Sequence, residues 1–266
     1  MQNSPIYPCV AITGASAGLG EGYARALAAR SSHLVLVARR AQRMHELSDE
    51  LKLAHQNLSV TVIAADLSQK SERIEVAEQI RSAGLHPDLW INNAGLGDYG
   101  EFESAEWNRI ESMLRVNIEA LTHLTHLLLP SLQSGASIMN VSSLASLLPI
   151  PDFAVYAASK AYVSSFSEAL RIELLDRRIH VLAVCPGPVR TEFGTVARRS
   201  EMADGIPTQP LFYIDRDRVV SDSIRALDAR KDQVFTRKKI KADAGIISSF
   251  PKIILRKLMG KRPRRA

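Results

Sequence analysis

Cys9-Val-Ala-Ile-Thr13 runs straight into Gly14-Ala-Ser-Ala-Gly18-Leu-Gly20, and a helix-like segment over 21–29 follows at once. A short continuous apolar run of this kind is what a strand buried on both faces of a parallel sheet requires. Glycines between such a strand and a helix leave N–H groups unpaired at the helix start, and bare backbone lets an anion such as a pyrophosphate approach them. The spacing is Gly-x-x-x-Gly-x-Gly rather than Gly-x-Gly-x-x-Gly, and a glycine turn serving only chain reversal is the other open reading.

The same alternation continues along the chain. His33-Leu-Val-Leu-Val-Ala38, Ser59-Val-Thr-Val-Ile-Ala-Ala65, Asp88-Leu-Trp-Ile-Asn92, Ser137-Ile-Met-Asn-Val-Ser142, His180-Val-Leu-Ala-Val-Cys185 and Gln233-Val-Phe-Thr236 read as six further strands. Between them the sequence predicts helices over 41–55, 68–82 with Ser68 as its cap, 104–116, 118–132 and 215–230. Another helix starts near Tyr156 and carries Val163, Phe166, Leu170 and Leu174 as an apolar stripe that packs on the sheet. Strands alternating with helices imply right-handed crossovers and a single α/β domain over 1–236, a doubly wound parallel sheet of about seven strands with helices on both faces. Ligands of such a sheet lie outside the carboxyl ends of its strands.

A chain of 266 residues, 46% apolar and 23% charged, has the make-up of a soluble globular protein with a substantial core. Residues 1–8 lack the charged start and apolar run of a signal peptide. The run over 121–132, interrupted by His123 and His126, is too short to span a bilayer, so a cytoplasmic location is the expectation. Cys9 and Cys185 fall inside strands and read as core packing; no disulfide framework and no metal site is expected. Residues 237–266 hold eleven Lys or Arg against Asp243 alone, so this tail carries +10 and the other 236 residues −4.

Polar and small residues collect where the strands end: Thr13 and Gly14, Asp66, Asn92 to Gly95, Ser142 and Ser143, Pro186 and Gly187. No acid stands about twenty residues past the glycines to bind a ribose 2′-hydroxyl. Arg39, Arg40 and Arg43 stand there instead, at a helix N-terminus whose dipole they oppose. The 2′-phosphate of NADP is the anion that answers them; a solvated charged face is the alternative. Tyr156-Ala-Ala-Ser-Lys160 puts a phenol and an ammonium one helical turn apart on one face. A fixed cation stabilises phenolate and lowers a pKa of about 10 in water, which makes a usable acid at neutral pH.

These motifs, in this order, resemble those of the classical short-chain dehydrogenase/reductase family over about 5–236. Thr13-Gly-x-x-x-Gly-x-Gly20 is similar to its cofactor turn, Asn92-Asn-Ala-Gly95 to its central-strand motif and Tyr156-x-x-x-Lys160 to its active site. Ser143 stands thirteen residues before Tyr156, the family spacing, and Pro186-Gly187 with Thr191 looks like the segment that holds the nicotinamide end. The resemblance implies a Rossmann fold and a catalytic set of Asn117, Ser143, Tyr156 and Lys160. Tyr156 would give a proton to the substrate oxygen and Ser143 would hydrogen-bond that oxygen. Lys160 would hold the nicotinamide ribose and lower the phenol pKa, and Asn117 would anchor a water relaying protons to Lys160. The implied cofactor site comprises Gly14, Ser16, Gly18, Leu19, Gly20, Arg39, Arg40, Asp66, Leu67, Asn93, Ala94, Gly95, Tyr156, Lys160, Pro186, Gly187, Val189 and Thr191. Ser16 departs from many NADP-preferring members, which carry a basic residue there, so the case for NADP over NAD rests on Arg39 and Arg40.

The reaction implied is NADPH-dependent reduction of a small-molecule ketone or aldehyde, with alcohol oxidation its reverse, in a homo-oligomer. A nucleotide-sensing or scaffold protein that keeps the fold without chemistry is the alternative, and it would normally have lost part of the catalytic set. Substrate walls are expected from residues 95–99, 144–153 and a mobile flap over 191–213. Leu144, Leu147, Ile150, Phe153 and Phe193 make them apolar, suited to a lipophilic carbonyl compound. Arg198 and Arg199 in the flap meet either solvent or an acidic group. In the tail, Ile246, Ile247, Phe250, Ile253, Ile254 and Leu258 recur at helical steps among Lys252, Arg256 and Lys257. That segment contacts an anionic membrane surface, covers the cleft or a subunit interface, or is disordered. No fold motif supports binding of nucleic acid.

Overall fold

The first strand, β1 (Cys9–Thr13), is buried end to end, as its unbroken apolar run demands. It lies between β2 (His33–Ala38) and β4 (Leu89–Asn92). Outside β2 lies β3 (Ser59–Ala64), and beyond β4 follow β5 (Ser137–Val141), β6 (His180–Cys185) and β7 (Gln233–Phe235). All six pairings are parallel, in the order β3-β2-β1-β4-β5-β6-β7, so the expected seven strands and doubly wound arrangement are those observed. The computed structural model describes residues 7–199 and 213–236. The rear of the expected flap and the basic tail lie outside the described residues.

Alternation along the strands divides the core in two. Val10, Ile12, Leu34 and Leu36 pack against α1 (Gly18–Ala28), α2 (Ala41–Ala54) and α8 (Arg216–Asp228). Ala11, Val35 and Val37 face the other way, onto α3 (Lys70–Ser82), α5 (Leu121–Leu128) and α6 (Ala154–Glu173). A buried polar chain fixes the middle of the sheet. Trp90 Nε1 donates to Asn92 Oδ1 (2.9 Å), Asn92 Nδ2 to Asn140 Oδ1 (2.8 Å) and Thr125 Oγ1 (2.9 Å), and Asn140 Nδ2 to Ser167 Oγ (2.9 Å). Because each amide is satisfied, the chain holds β4 and β5 in one register against α5 and α6. No helix among the described residues is long and apolar enough to cross a membrane.

Three local expectations change. The helices predicted over 104–116 and 118–132 form one stack, in which α4 (Trp107–Leu114) passes through a π-helical turn, Arg115–Ala120, into α5. Ser68 is not a helix cap: its N–H donates to Asp66 Oδ1 at 3.0 Å in an Asx turn, and α3 begins after Gln69. The front of the expected mobile flap is a helix, α7 (Glu192–Ala197), capped by Thr191, whose Oγ1 accepts the Phe193 N–H at 3.4 Å. Cys9 and Cys185 are buried free thiols. Burial, with the Asp88 carboxylate adding, pushes the Cys9 thiol up to about 11, and burial raises Cys185 as well.

Candidate active site

The carboxyl end of β1 is stitched to that of β4. Thr13 Oγ1 accepts the N–H groups of Asn93 (2.9 Å) and Ala94 (3.0 Å), and the Asn93 side-chain amide donates to Thr13 O at 2.9 Å. The stitching leaves no room for side chains at the turn. A Cβ on Gly20 would stand 2.2 Å from Gly14 O, and one on Gly14, at φ +67°, 2.9 Å from Ala94 Cα. Ala17 precedes α1 and supplies no side-chain cap, so the first N–H groups of that helix have no side-chain partner where Gly18 and Leu19 line a cleft. A bare helix start with its dipole directed at the cleft fits a pyrophosphate, the part that NAD and NADP share.

The cleft has a volume of about 590 Å³. Of the residues expected to bind cofactor or act in catalysis, only Gly20 and Asn117 do not line it. Gly20 sits behind the turn, and Asn117 lies in the π-helical turn, almost wholly buried. Its Oδ1 accepts the Leu96 N–H (2.8 Å), while Nδ2 donates to Leu96 O (2.9 Å) and Ser159 Oγ (3.0 Å). Asn117 thereby fixes the cleft wall. A Cβ on Gly95 would meet Lys160 Nζ at 3.3 Å and Asn117 Oδ1 at 3.5 Å, so that glycine lets ammonium and amide approach a common space.

At the head of α2, Arg39 has no ion pair or side-chain hydrogen bond among the described residues, whereas Arg40 is held. Arg40 Nε donates to Ser16 Oγ at 3.1 Å and Nη1 to Glu192 Oε2 at 2.8 Å; Arg43 Nη1 reaches Glu192 Oε1 at 2.6 Å. These two guanidiniums, Arg40 first, hold the Glu192 carboxyl below the usual carboxylate range. Asp66 has its Oδ1 engaged by the Ser68 N–H.

Tyr156 and Lys160, one turn apart on α6, are both buried, at 8% and 4% exposure. Burial is the largest influence on both groups here. Burial pushes the phenol up to about 12, opposed only by a hydrogen bond with the Ser143 hydroxyl, and burial pushes Lys160 down to about 8 against a smaller raising effect of Cys185. The reason is geometric. Lys160 Nζ donates to Val141 O at 3.0 Å and stands 5.8 Å from the centre of the Tyr156 ring, in a region where low polarity favours both groups neutral. Ser143 Oγ also accepts the Ala145 N–H at 3.1 Å, while neighbouring Ser142 donates to Lys160 O at 2.8 Å and so buttresses α6.

The substrate half of the cleft is aromatic. Phe153 stacks on Tyr156 with centroids 4.3 Å apart, Phe193 is tilted against Tyr156 at 5.4 Å, and Tyr99 meets Phe153 edge-on at 5.6 Å. Leu144, Ile150, Phe153 and Phe193 line the cleft as expected, but Leu147 does not; Leu148, Tyr99 and Val196 do. Gly97 admits Phe193, for a Cβ there would lie 2.7 Å from the ring. Arg199 meets an acid rather than solvent. Its Nη2 binds Asp98 Oδ2 at 2.6 Å, and Arg109 Nε binds Asp98 Oδ1 at 2.8 Å. Burial raises the Asp98 pKa, but the hydrogen bonds from Arg199 and then Arg109 outweigh it and leave the carboxyl below its ordinary range. Glu192 and Asp98 escaped the sequence reading because Arg40 and Arg199, which bind them, lie 152 and 101 residues away, with no local spacing to signal them.

A model of the family described as short chain dehydrogenase matches residues 8–202. A sulfoacetaldehyde reductase of Chromohalobacter salexigens is 36% identical over 203 residues, covering 73% of this chain and 78% of that one. A very-long-chain 3-oxoacyl-CoA reductase of Anas platyrhynchos is 31% identical over 197 residues, covering 71% and 62% respectively. Among solved structures, a short-chain dehydrogenase from Sphingobium yanoikuyae in complex with NADPH superposes with a TM-score of 0.77 at 28% identity, covering 97% of this chain and 98% of that one. The bulky-bulky ketone specific alcohol dehydrogenase from Comamonas testosteroni gives 0.77 at 28%, covering 97% and 96%.

Proposed function

Since the chain belongs to the short-chain dehydrogenase family of NAD(P)-dependent oxidoreductases, we propose that it reduces lipophilic ketones or aldehydes with NADPH. The observation that carries this reading is the convergence of Tyr156, Ser143, Lys160 and the glycine turn on one cleft, with Lys160 Nζ 5.8 Å from the centre of the Tyr156 ring. A phenol is protonated at neutral pH and stands ready as the proton donor that carbonyl reduction needs. When bound, the reduced nicotinamide supplies a hydride to the carbonyl carbon. Tyr156 gives its proton to the carbonyl oxygen, Ser143 hydrogen-bonds that oxygen, and Lys160, with Asn117 beside it, returns a proton to the phenolate. The walls of Phe153, Phe193, Leu148 and Val196 favour an apolar carbonyl compound, in keeping with the ketone-specific enzyme of similar fold. Arg39 and Arg40 favour NADPH, as does the NADPH-bound relative.

The test follows NADPH oxidation over a panel of ketones and aldehydes. Wild type should turn over the apolar members, and Tyr156→Phe should lose a factor of about 10² to 10⁴ in kcat, the usual worth of a positioned proton donor. Equal traces for the two proteins would refute the assignment.

A further inference from the structure

The two guanidiniums at the head of α2 are not free to receive a phosphate. Arg43 and Arg40 hold the two oxygens of Glu192 at 2.6 and 2.8 Å, across a sequence separation of 149 and 152 residues. The carboxylate comes from the first residue of α7, and Ser16, Arg39, Arg40 and Glu192 all line the same cleft. The first turn of α2 contains no acidic residue, so its dipole and cations leave a positive site that an anion from elsewhere must answer. Within the described residues Glu192 is that anion. The three side chains are each about half exposed, at 46–50%, so the carboxylate is weakly held and exchangeable.

We infer that Glu192 is an internal competitor of the cofactor 2′-phosphate, which sets the affinity for NADPH and the enzyme's margin over NADH. The inference rests on the NADPH reading above. A phosphate monoester carries about −1.5 to −2 charge and three acceptor oxygens against the carboxylate's single charge and two, so it displaces Glu192 from Arg40 and Arg43 once the rest of the cofactor is docked. NADH presents a neutral hydroxyl at that place and leaves the Glu192 pairs intact. Glu192 thus lowers the affinity for one cofactor and not the other.

The experiment measures Kd by titration calorimetry for NADPH, NADH, adenosine 2′,5′-bisphosphate and AMP, on wild type, Glu192→Gln, Arg40→Ala and the double variant. Glu192→Gln should tighten NADPH and the bisphosphate about three- to tenfold, the scale of two exposed ion pairs, and leave NADH and AMP within about twofold. Arg40→Ala should weaken both phosphorylated ligands, and Glu192→Gln should add less on that background. Unchanged or weaker NADPH binding in Glu192→Gln overturns the inference. So does equal tightening of NADPH and NADH, which reports only the loss of a nearby negative charge, and so does selective loss of NADH, which would make Glu192 a ribose ligand. A wild type without preference for NADPH, or an Arg40→Ala without effect on it, removes the cofactor reading itself; preference and arginine effect intact with Glu192→Gln flat removes the competitor alone.

Discussion

Lys160 carries its charge at neutral pH in a place that resists charge. Burial lowers its pKa from the ordinary 10.5 to about 8, so below pH 8 folded and unfolded chains are both protonated and the full penalty of the buried cation applies. Between about pH 8 and 10.5 the unfolded chain keeps the proton that the folded chain releases, and stability rises with pH. A shift of this size corresponds to about 3 kcal/mol. Urea unfolding of the cofactor-free protein at pH 7, 8.5 and 10 should show wild type gaining stability relative to Lys160→Met by up to that amount; a constant difference would contradict it. Tyr156, Lys160, Ser143 and the glycines were legible as residue types at fixed spacings. Their protonation was not, because burial belongs to the packing of α6 on the sheet, and burial raises the phenol and lowers the lysine.

Elements with a strong period were read well, those held by distant contacts were not. The strands announce themselves as apolar runs, and α8 falls within the helix expected over 215–230, where the Asp215 carboxylate accepts the N–H groups of Asp217 and Arg218. The π-helical turn was not read from the sequence, since a single inserted turn between two short helices is too brief to establish a period of its own. The short helix α7 looked like a flap because its order comes from outside it. Tyr99 N–H donates to Ala197 O at 2.8 Å, and Asp98 binds Arg199 just beyond the helix and Arg109 on α4. Removing the Asp98 charge should therefore loosen α7 in particular. In Asp98→Asn, amide exchange over 192–197 should quicken about tenfold or more, the scale of hydrogen bonds to a charged group, while α8 keeps its protection. Uniform exchange across both helices would assign the clasp to global stability instead.

Across the molecule, the cleft draws on residues from Gly14 to Tyr213, and α8 packs on α1. Tyr7 donates to Asp228 Oδ1 at 3.0 Å, Arg30 binds Asp228 at 2.8 Å, and Tyr23 donates to Ser223 Oγ at 3.0 Å, so the two halves of the sheet close on each other. The doubly wound parallel sheet followed from the alternation of strands and helices; the clamps between sequence-distant helices did not. A ligand that spans such a cleft stabilises the entire unit. NADPH at about 100 times its Kd should contribute about 2.7 kcal/mol and raise Tm by about 5–10 °C in a single calorimetric transition, and Arg39→Asp at the same NADPH concentration should lose most of that rise. Two separated transitions, or an equal rise in the variant, would count against it. The burial of both cysteines has a practical corollary at this scale. With Cys9 and Cys185 inside the sheet and their thiols raised by burial, no native sulfur competes for a maleimide. One cysteine introduced at the half-exposed Val196 position would then carry a dye at a single known site on the rim of the cleft, turning ligand entry into an optical signal.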